Sequence, residues 1–186
     1  LQLSVYLNAA LKHKQATEGK EVIPAGVLYQ HIDDPVLSEG NEGFEEYLKA
    51  LKPNGKILND SDVYIAMDHN LEEPGTKSQV IPVALKTDGA LASQGTSVME
   101  KEQLQMIGEY AIEMMKRSGN QIYDGDVSVN PYQNDKKTAC DWCSYKGICG
   151  FDKKIPGYQF HKLKKLGKED EIMQRMEVEL AAFKSR

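Results

Sequence analysis

The chain has 186 residues, with 23 basic against 28 acidic side chains, a net charge of −5, 40% hydrophobic and 27% charged residues. This is an ordinary soluble mixture, large enough for one sizeable core and an appended lobe. It holds no repeat, no low-complexity tract, no signal-peptide pattern and no apolar run of about 18 residues, which excludes a membrane-spanning helix.

In chain order, Leu1 to Lys14 reads as a helix, with Leu3, Leu7 and Leu11 as an apolar stripe and Gln2 and Tyr6 four apart on the neighbouring face. It opens inside its own pattern, without a capping residue, as a piece of a longer polypeptide would, and is expected to end near Thr17 and Gly19. Val27 to Ile32, after Pro24 and Gly26, is half-alternating and β-rich, and Asp33-Asp34-Pro35 should turn the chain. Gly43 to Leu51 predicts a short helix with Phe44, Tyr47, Leu48 and Leu51 on one side, stopped by Pro53-Asn54-Gly55. Ile57 to Met67 fits two readings, a helical turn capped by Asp60 or Ser61, or a strand through Val63-Tyr64-Ile65.

Glu72 to Gly75 reads as a loop. Gln79 to Leu85 predicts a strand that Pro82 confines to an edge, followed by a turn at Thr87-Asp88-Gly89. Ser97-Val98-Met99-Glu100 has capping-box form and opens the best helix. Its stripe is Gln103, Ile107, Tyr110 and Met114, widened by Leu104, Ala111 and Met115, and Ser118-Gly119 should stop it. A turn at Asp124-Gly125 and a short strand at Val127 to Val129 come next, blocked by Pro131. Residues 131–162 show little periodicity; such a segment is expected to be held by a metal rather than by a core. Ile155-Pro156-Gly157 turns out of it. Leu163 to Leu166 and Ile172 to Phe183 read as weak terminal helices, the second with Met173, Met176 and Leu180 inward. The organisation expected is residues 1–130 as an α/β (α+β) core portion and residues 131–186 as a loop-rich tail with terminal helices.

The chain has three cysteines, Cys140, Cys143 and Cys149, spaced C-x2-C-x5-C. Thiolates bind soft metals strongly, and C-x2-C brings two sulfurs to one ion or cluster corner. Three ligands are one short of a closed zinc site or a [4Fe–4S] cluster. Zinc would take its fourth ligand from a histidine, of which His161 alone is local. A cluster would take a distant cysteine, and Trp142, Tyr145, Ile148 and Phe151 would shield it. Three reduced cysteines without metal remain the third reading. Clustering of this kind suits a reducing compartment, and the cytoplasm is expected. Residues 136–168 hold nine lysines and two aspartates, a local +7 that leaves −12 for the remainder. Such an island either meets a polyanion or solvates an irregular segment.

A Gln2-x-x-x-Tyr6 pair means little alone. Ahead of the cysteine triplet it resembles the RecB-like nucleases of the PD-(D/E)xK superfamily, and within them the C-terminal part of the AddB-like subunits of bacterial ATP-dependent helicase/deoxyribonucleases. The residues that carry this are Leu1-Gln2-Leu3-Ser4-Val5-Tyr6-Leu7, Ile23 to Tyr29, Asn130-Pro131-Tyr132 and Ala139 to Asp152. The resemblance implies a partial RecB-like nuclease core, with Gln2 and Tyr6 as accessory residues lining the nuclease site. It implies that Cys140, Cys143 and Cys149 ligate a [4Fe–4S] cluster whose fourth cysteine lies far upstream. For the parent protein it implies DNA hydrolysis with Mg²⁺, ATP as helicase fuel, an AddA-like helicase/nuclease partner, DNA including single strands as substrate, and a role in double-strand-break resection and recombinational repair.

The superfamily holds its metal with an aspartate and an acid-x-Lys on adjacent strands that precede the Gln-x-x-x-Tyr helix. The triplets here, Glu18-Gly19-Lys20, Asp135-Lys136-Lys137 and Asp152-Lys153-Lys154, follow it and read as surface charge. The 186 residues alone are therefore expected to be inactive. The CRISPR-adaptation exonucleases also pair such a helix with a cysteine triplet, but the 133 residues between Tyr6 and Cys140 favour the AddB-like reading. A zinc-stabilised interaction module is the reading from another class.

Overall fold

The computed structural model describes residues 2–32, 43–165 and 167–184. The turn expected at Asp33-Asp34-Pro35 and the end of the Leu163 to Leu166 helix lie outside them. The contacts divide the chain into two units, Leu1–Ile112 and Glu113–Arg186.

In the first unit, helix α1 (Gln2–Glu18) runs one turn further than its stripe suggested. Thr17 turns its hydroxyl back onto the His13 and Lys14 carbonyls, and Gly19 closes the helix at a φ of +64°. That left-handed conformation favours glycine. Strands β1 (Gly26–Tyr29), β2 (Asn54–Leu58) and β3 (Val98–Met99) form a sheet in the order β1-β2-β3. β1 and β2 are antiparallel, with Gly26 opposite Ile57 and Leu28 opposite Gly55, and β2 and β3 are parallel. A Cβ on Gly55 would collide with the Val27 carbonyl, so the pairing requires glycine there.

Helix α2 (Phe44–Leu51) lies within its expected span. The ambiguous Ile57–Met67 stretch resolves as the end of β2 followed by helix α3 (Ser61–Met67). Asp60 decides this, because its carboxylate accepts the Asp62 amide at 2.9 Å and caps α3. Asp68 repeats the device for a 3₁₀ turn, His69–Glu72, accepting the Asn70 amide at 3.1 Å.

Gln79 to Leu85 does not form the expected strand; only isolated bridges, Lys77 to Ala84 and Leu85 to Leu91, pair this region. The Ser78 hydroxyl accepts the Val80 and Ile81 amides, and Pro82 has no amide to give. The alternation still reports burial. Ile81, Val83 and Leu85 point inward and join Ile57, Tyr64 and Leu71 in the core.

Helix α4 (Lys101–Tyr123) begins later than the capping-box reading placed it. Val98 and Met99 pair with β2 instead, and the Gln103 side chain accepts the Glu100 amide at 3.0 Å. Gly119 does not stop the helix, which runs on to the Asp124-Gly125 turn, where Gly125 has a φ of +73°. Its buried line is Leu104, Gly108 and Ala111, and Met115 is exposed.

In the second unit, strands β4 (Tyr132–Asn134), β5 (Lys137–Thr138) and β6 (His161–Lys162) make a small sheet in the order β5-β4-β6. β4 and β5 form a hairpin, and β6 lies parallel to β4. Val127 to Val129 is not a strand, and Val127 is exposed. Leu163 to Lys165 is not helical, since the chain is leaving β6 there, with the Leu163 amide on the Gln133 carbonyl. A short helix, α5 (Lys146–Cys149), and the terminal helix α6 (Glu169–Lys184) complete the unit. Three acids in the first turn of α6 suit its positive dipole end, and Met173 and Leu180 are buried.

Candidate functional site

Helix α1 sorts its residues by face. Ser4, Val5, Leu7, Asn8 and Leu11 are partly buried, while Gln2, Leu3, Tyr6, Ala9 and Ala10 are exposed. Leu3 therefore leaves the stripe expected of it. The packed face is fixed by a polar contact: Asn8 Nδ2 donates to the Gly108 carbonyl of α4 at 2.9 Å. The two helices approach so closely that a Cβ on Gly108 would stand 2.7 Å from Asn8 Oδ1. Sequence reasoning passed over both residues. The available signal was an asparagine, a poor helix former, beside an apolar stripe, and a glycine inside a strong helix.

On the open face the structure brings Gln2 and Tyr6 together, with Gln2 Nε2 donating to the Tyr6 hydroxyl at 2.9 Å. The bond orders two polar tips at one end of α1, and Tyr6 remains 60% exposed. None of the six described strands contains aspartate or glutamate. The acid-x-Lys triplets behave as surface charge. Glu18 pairs with Lys14, Asp135 sits in the β4–β5 turn at a φ of +53°, and the Asp152 carboxylate accepts the Lys154 amide.

The cysteines lie on one short stretch that β5 leads into and α5 ends. Cys140 is half-buried, Cys143 and Cys149 are exposed, and all three are free thiols. Gly150 terminates α5 at a φ of +70°. The stretch is clamped at its start by Asp141, whose carboxylate takes the Thr138 hydroxyl and amide, both at 2.7 Å. Those bonds hold the Asp141 carboxyl below its usual range, with a smaller contribution from Lys146 against a small desolvation cost. The donors are chemically right for a soft metal. Among the described residues, however, no three of His, Cys, Asp and Glu come together as a metal-binding group, and His161 completes none. The three thiols share one stretch but are not gathered into one ligand set among the described residues.

The expected aromatic shield is not formed. Trp142 is 96% exposed and Tyr145 and Ile148 also face outward; of the four, only Phe151 packs, against Tyr158 and Phe160 at centroid distances of 5.7 and 4.8 Å. All nine lysines of residues 136–168 are exposed. One of them, Lys153, lies 5.6 Å over the Phe160 ring.

A polar cluster in the first unit was also missed. Asp68 is buried and accepts from Asn70 through both its backbone and side-chain nitrogens. Burial acts to raise its carboxyl, but hydrogen bonds from Ser78 and Asn70 and the nearby His69 together lower it. Lys52 donates to the Ser78 carbonyl at 2.6 Å, and its own pKa is lowered by burial and then by Lys77. Every buried side-chain polar atom among the described residues has a partner, which marks this as a structural network.

Residues 1–150 match the family model of the PD-(D/E)XK nuclease superfamily, from the Gln2–Tyr6 helix through the last cysteine. The chain belongs to the PD-(D/E)XK nuclease superfamily. Its relatives in three bacteria share one name, the B subunit of an ATP-dependent helicase/deoxyribonuclease. The chain is 37% identical over 178 residues to that protein of Lachnoclostridium phytofermentans, covering 91% of this chain and 15% of the relative. It is 35% identical to the Bacillus subtilis protein, over 88% of this chain and 14% of that relative. The Clostridium acetobutylicum protein is 32% identical over 97% of this chain and 16% of its own length. The chain thus spans about one-sixth of these relatives. As a nuclease-superfamily member it presents an ordered Gln–Tyr pair without acidic strand residues among those described. No described helix is long and apolar enough to cross a membrane.

Proposed function

We propose that the chain is the C-terminal part of the nuclease domain of an AddB-like subunit, working inside a longer protein that hydrolyses DNA with Mg²⁺ and acts with an ATP-driven, AddA-like helicase partner in the cytoplasm. The observation that carries this is the Gln2–Tyr6 pair, bonded to each other and exposed at one end of α1 within a chain of nuclease ancestry. In this role Gln2 offers an amide to DNA or to the attacking water, and Tyr6 holds that amide in one orientation. Mg²⁺, when bound, supplies a hydroxide nucleophile and neutralises phosphate charge. Its carboxylate ligands belong to polypeptide outside these 186 residues.

Cys140, Cys143 and Cys149 are proposed as three ligands of a [4Fe–4S] cluster, with the fourth cysteine elsewhere in the longer protein. What supports this reading is the C-x2-C-x5-C spacing and the clustering of every cysteine on one clamped stretch. Joining that stretch to a ligand far away in sequence would close a long loop and restrict the unfolded chain. End resection and recombinational repair are the process such a subunit serves.

The test is Gln2→Ala in the longer protein. Nuclease activity is expected to drop while ATP hydrolysis survives. Loss of both would assign Gln2 to folding instead. The 186-residue chain alone is expected not to cut linear DNA with Mg²⁺; cleavage abolished by changing an acid within it would relocate the active site.

A further inference from the structure

The strand register of the second unit places two rings side by side. Tyr132 on β4 is the partner of His161 on β6, and directly paired residues project from the same face of a sheet. Two residues along β4, Asn134 is opposite Lys137 of β5, and alternation returns that pair to the same face. The exposure pattern agrees with the register. Tyr132, Asn134, Lys137 and His161 are all exposed, whereas on the opposite face Gln133 and Thr138 are half-buried and Lys162, at the sheet edge, is exposed. This face therefore carries two aromatic side chains rooted on neighbouring strands about 5 Å apart, with an amide and an ammonium rooted about 7 Å further along the strand.

We propose that this face is a stacking platform for single-stranded nucleic acid. Tyr132 and His161 receive bases, and Asn134 and Lys137 contact the adjoining backbone. Among the described residues neither ring makes a side-chain hydrogen bond or ring contact, and Tyr132 is 49% exposed. A solvated ring pair on a soluble sheet needs a ligand with flat apolar surfaces and a charged backbone, and single strands supply both. A duplex does not, because its bases are already stacked on one another. The exposed lysines around the sheet, including Lys136, Lys162, Lys164 and Lys165, give the strand an electrostatic approach whichever way it runs. The proposal rests on the nuclease-subunit reading for its choice of nucleic acid as the polyanion, but it uses residues of a different unit from Gln2 and Tyr6.

The experiment titrates the 186-residue chain against a fluorescein-labelled oligo-dT strand at low salt and reads anisotropy. The Tyr132→Leu/His161→Leu double variant is expected to lose about a hundredfold in affinity, since each stacked ring is worth about a factor of ten. Tyr132→Phe keeps its ring and should bind like the parent, which also controls for misfolding. Lys137→Gln should make the salt dependence shallower by about 0.7 in log–log slope, one phosphate contact. Unchanged affinity in the double leucine variant would overturn the platform, and so would a duplex competitor that displaces the single strand equally well. Either result leaves the Gln2→Ala test of the nuclease reading standing, because that test is made in the longer protein on the other unit.

Discussion

Replacing Gly108 by alanine should destabilise the chain, although alanine is the better helix former by about 1 kcal/mol. The added methyl would stand 2.7 Å from Asn8 Oδ1 and 3.1 Å from Nδ2, so the Asn8 side chain must move. Moving it breaks the Asn8 bond to the Gly108 carbonyl, worth about 1 kcal/mol, and crowding between helices adds about 1–3 kcal/mol. The net expectation is a loss of about 1–3 kcal/mol. Asn8→Ala alone should be nearly neutral: the Gly108 carbonyl keeps its helical partner four residues on, and alanine restores helix propensity. In that background Gly108→Ala has nothing to strike and should stabilise by about 1 kcal/mol. The sign thus reverses, with a coupling of about 2–4 kcal/mol between the sites. Urea unfolding followed by circular dichroism measures the cycle, and hydrogen exchange of the α1 amides localises it. Stabilisation by Gly108→Ala in both backgrounds, to the same extent, would show that Asn8 does not set the α1–α4 approach.

Cys143→Ser in the longer protein should abolish the visible absorbance of an iron–sulfur cluster in anaerobic preparations and weaken DNA binding; retention of both removes the cluster assignment. The Asp141 carboxyl is held low in the fold, so its contribution is present above the unfolded aspartate pKa and lost as pH falls through its folded value. Hydrogen exchange of the Thr138 amide should therefore accelerate on the acid side of the usual aspartate range. In Thr138→Val that acid-dependent step should shrink; an identical profile would mean that Asp141 does not clamp the cysteine stretch. Asp68→Ala removes the cap of the 3₁₀ turn and leaves the buried Ser78 hydroxyl without its acceptor, and should cost about 2 kcal/mol in denaturant unfolding. A variant as stable as the parent would place the support of that turn elsewhere.

Elements with one dominant local cause were legible in the sequence. The α1 stop at Gly19 and the turn at Asp124-Gly125 each depend on one residue's backbone, while the α3 cap at Asp60 was legible only as one of two readings. Elements decided by partners far along the chain were not. Ser97-Val98-Met99-Glu100 is a sound capping box in isolation, but β2 takes Val98 and Met99 as a parallel strand. Likewise Gln79–Leu85 has a strand's alternation, but Ser78 and Pro82 leave its amides unable to form a ladder. At the candidate site the Gln–Tyr spacing was readable because i and i+4 meet on any helix. The face it occupies was not, because Asn8 rather than a leucine fixes how α1 rotates against α4.

The cysteine stretch has the weak core its composition predicted, since none of the buried hydrophobics among the described residues lies in residues 131–162. What composition did not show is that several short-range devices act there together. β5 and β6 flank β4, Asp141 clamps Thr138, Phe151 sits among Tyr158 and Phe160, and Lys153 lies over the Phe160 ring. None of these repeats at 2 or 3.6 residues, so no pattern search finds them. Their consequence is chemical. A ligand stretch already held by hydrogen bonds and ring packing loses less conformational freedom when a cluster forms than a disordered one would, at about 1–2 kcal/mol per residue ordered. On the proposed cluster assignment, thiolate ligation acts on the long-range connection to a distant fourth ligand rather than on local folding. The second unit should accordingly keep its β4–β5–β6 hydrogen bonds when all three cysteines are serine, with exchange protection of the Leu163 and Ala139 amides as the measure. Collapse of that protection in the serine variant would return the stretch to the class of segments that metal alone can fold.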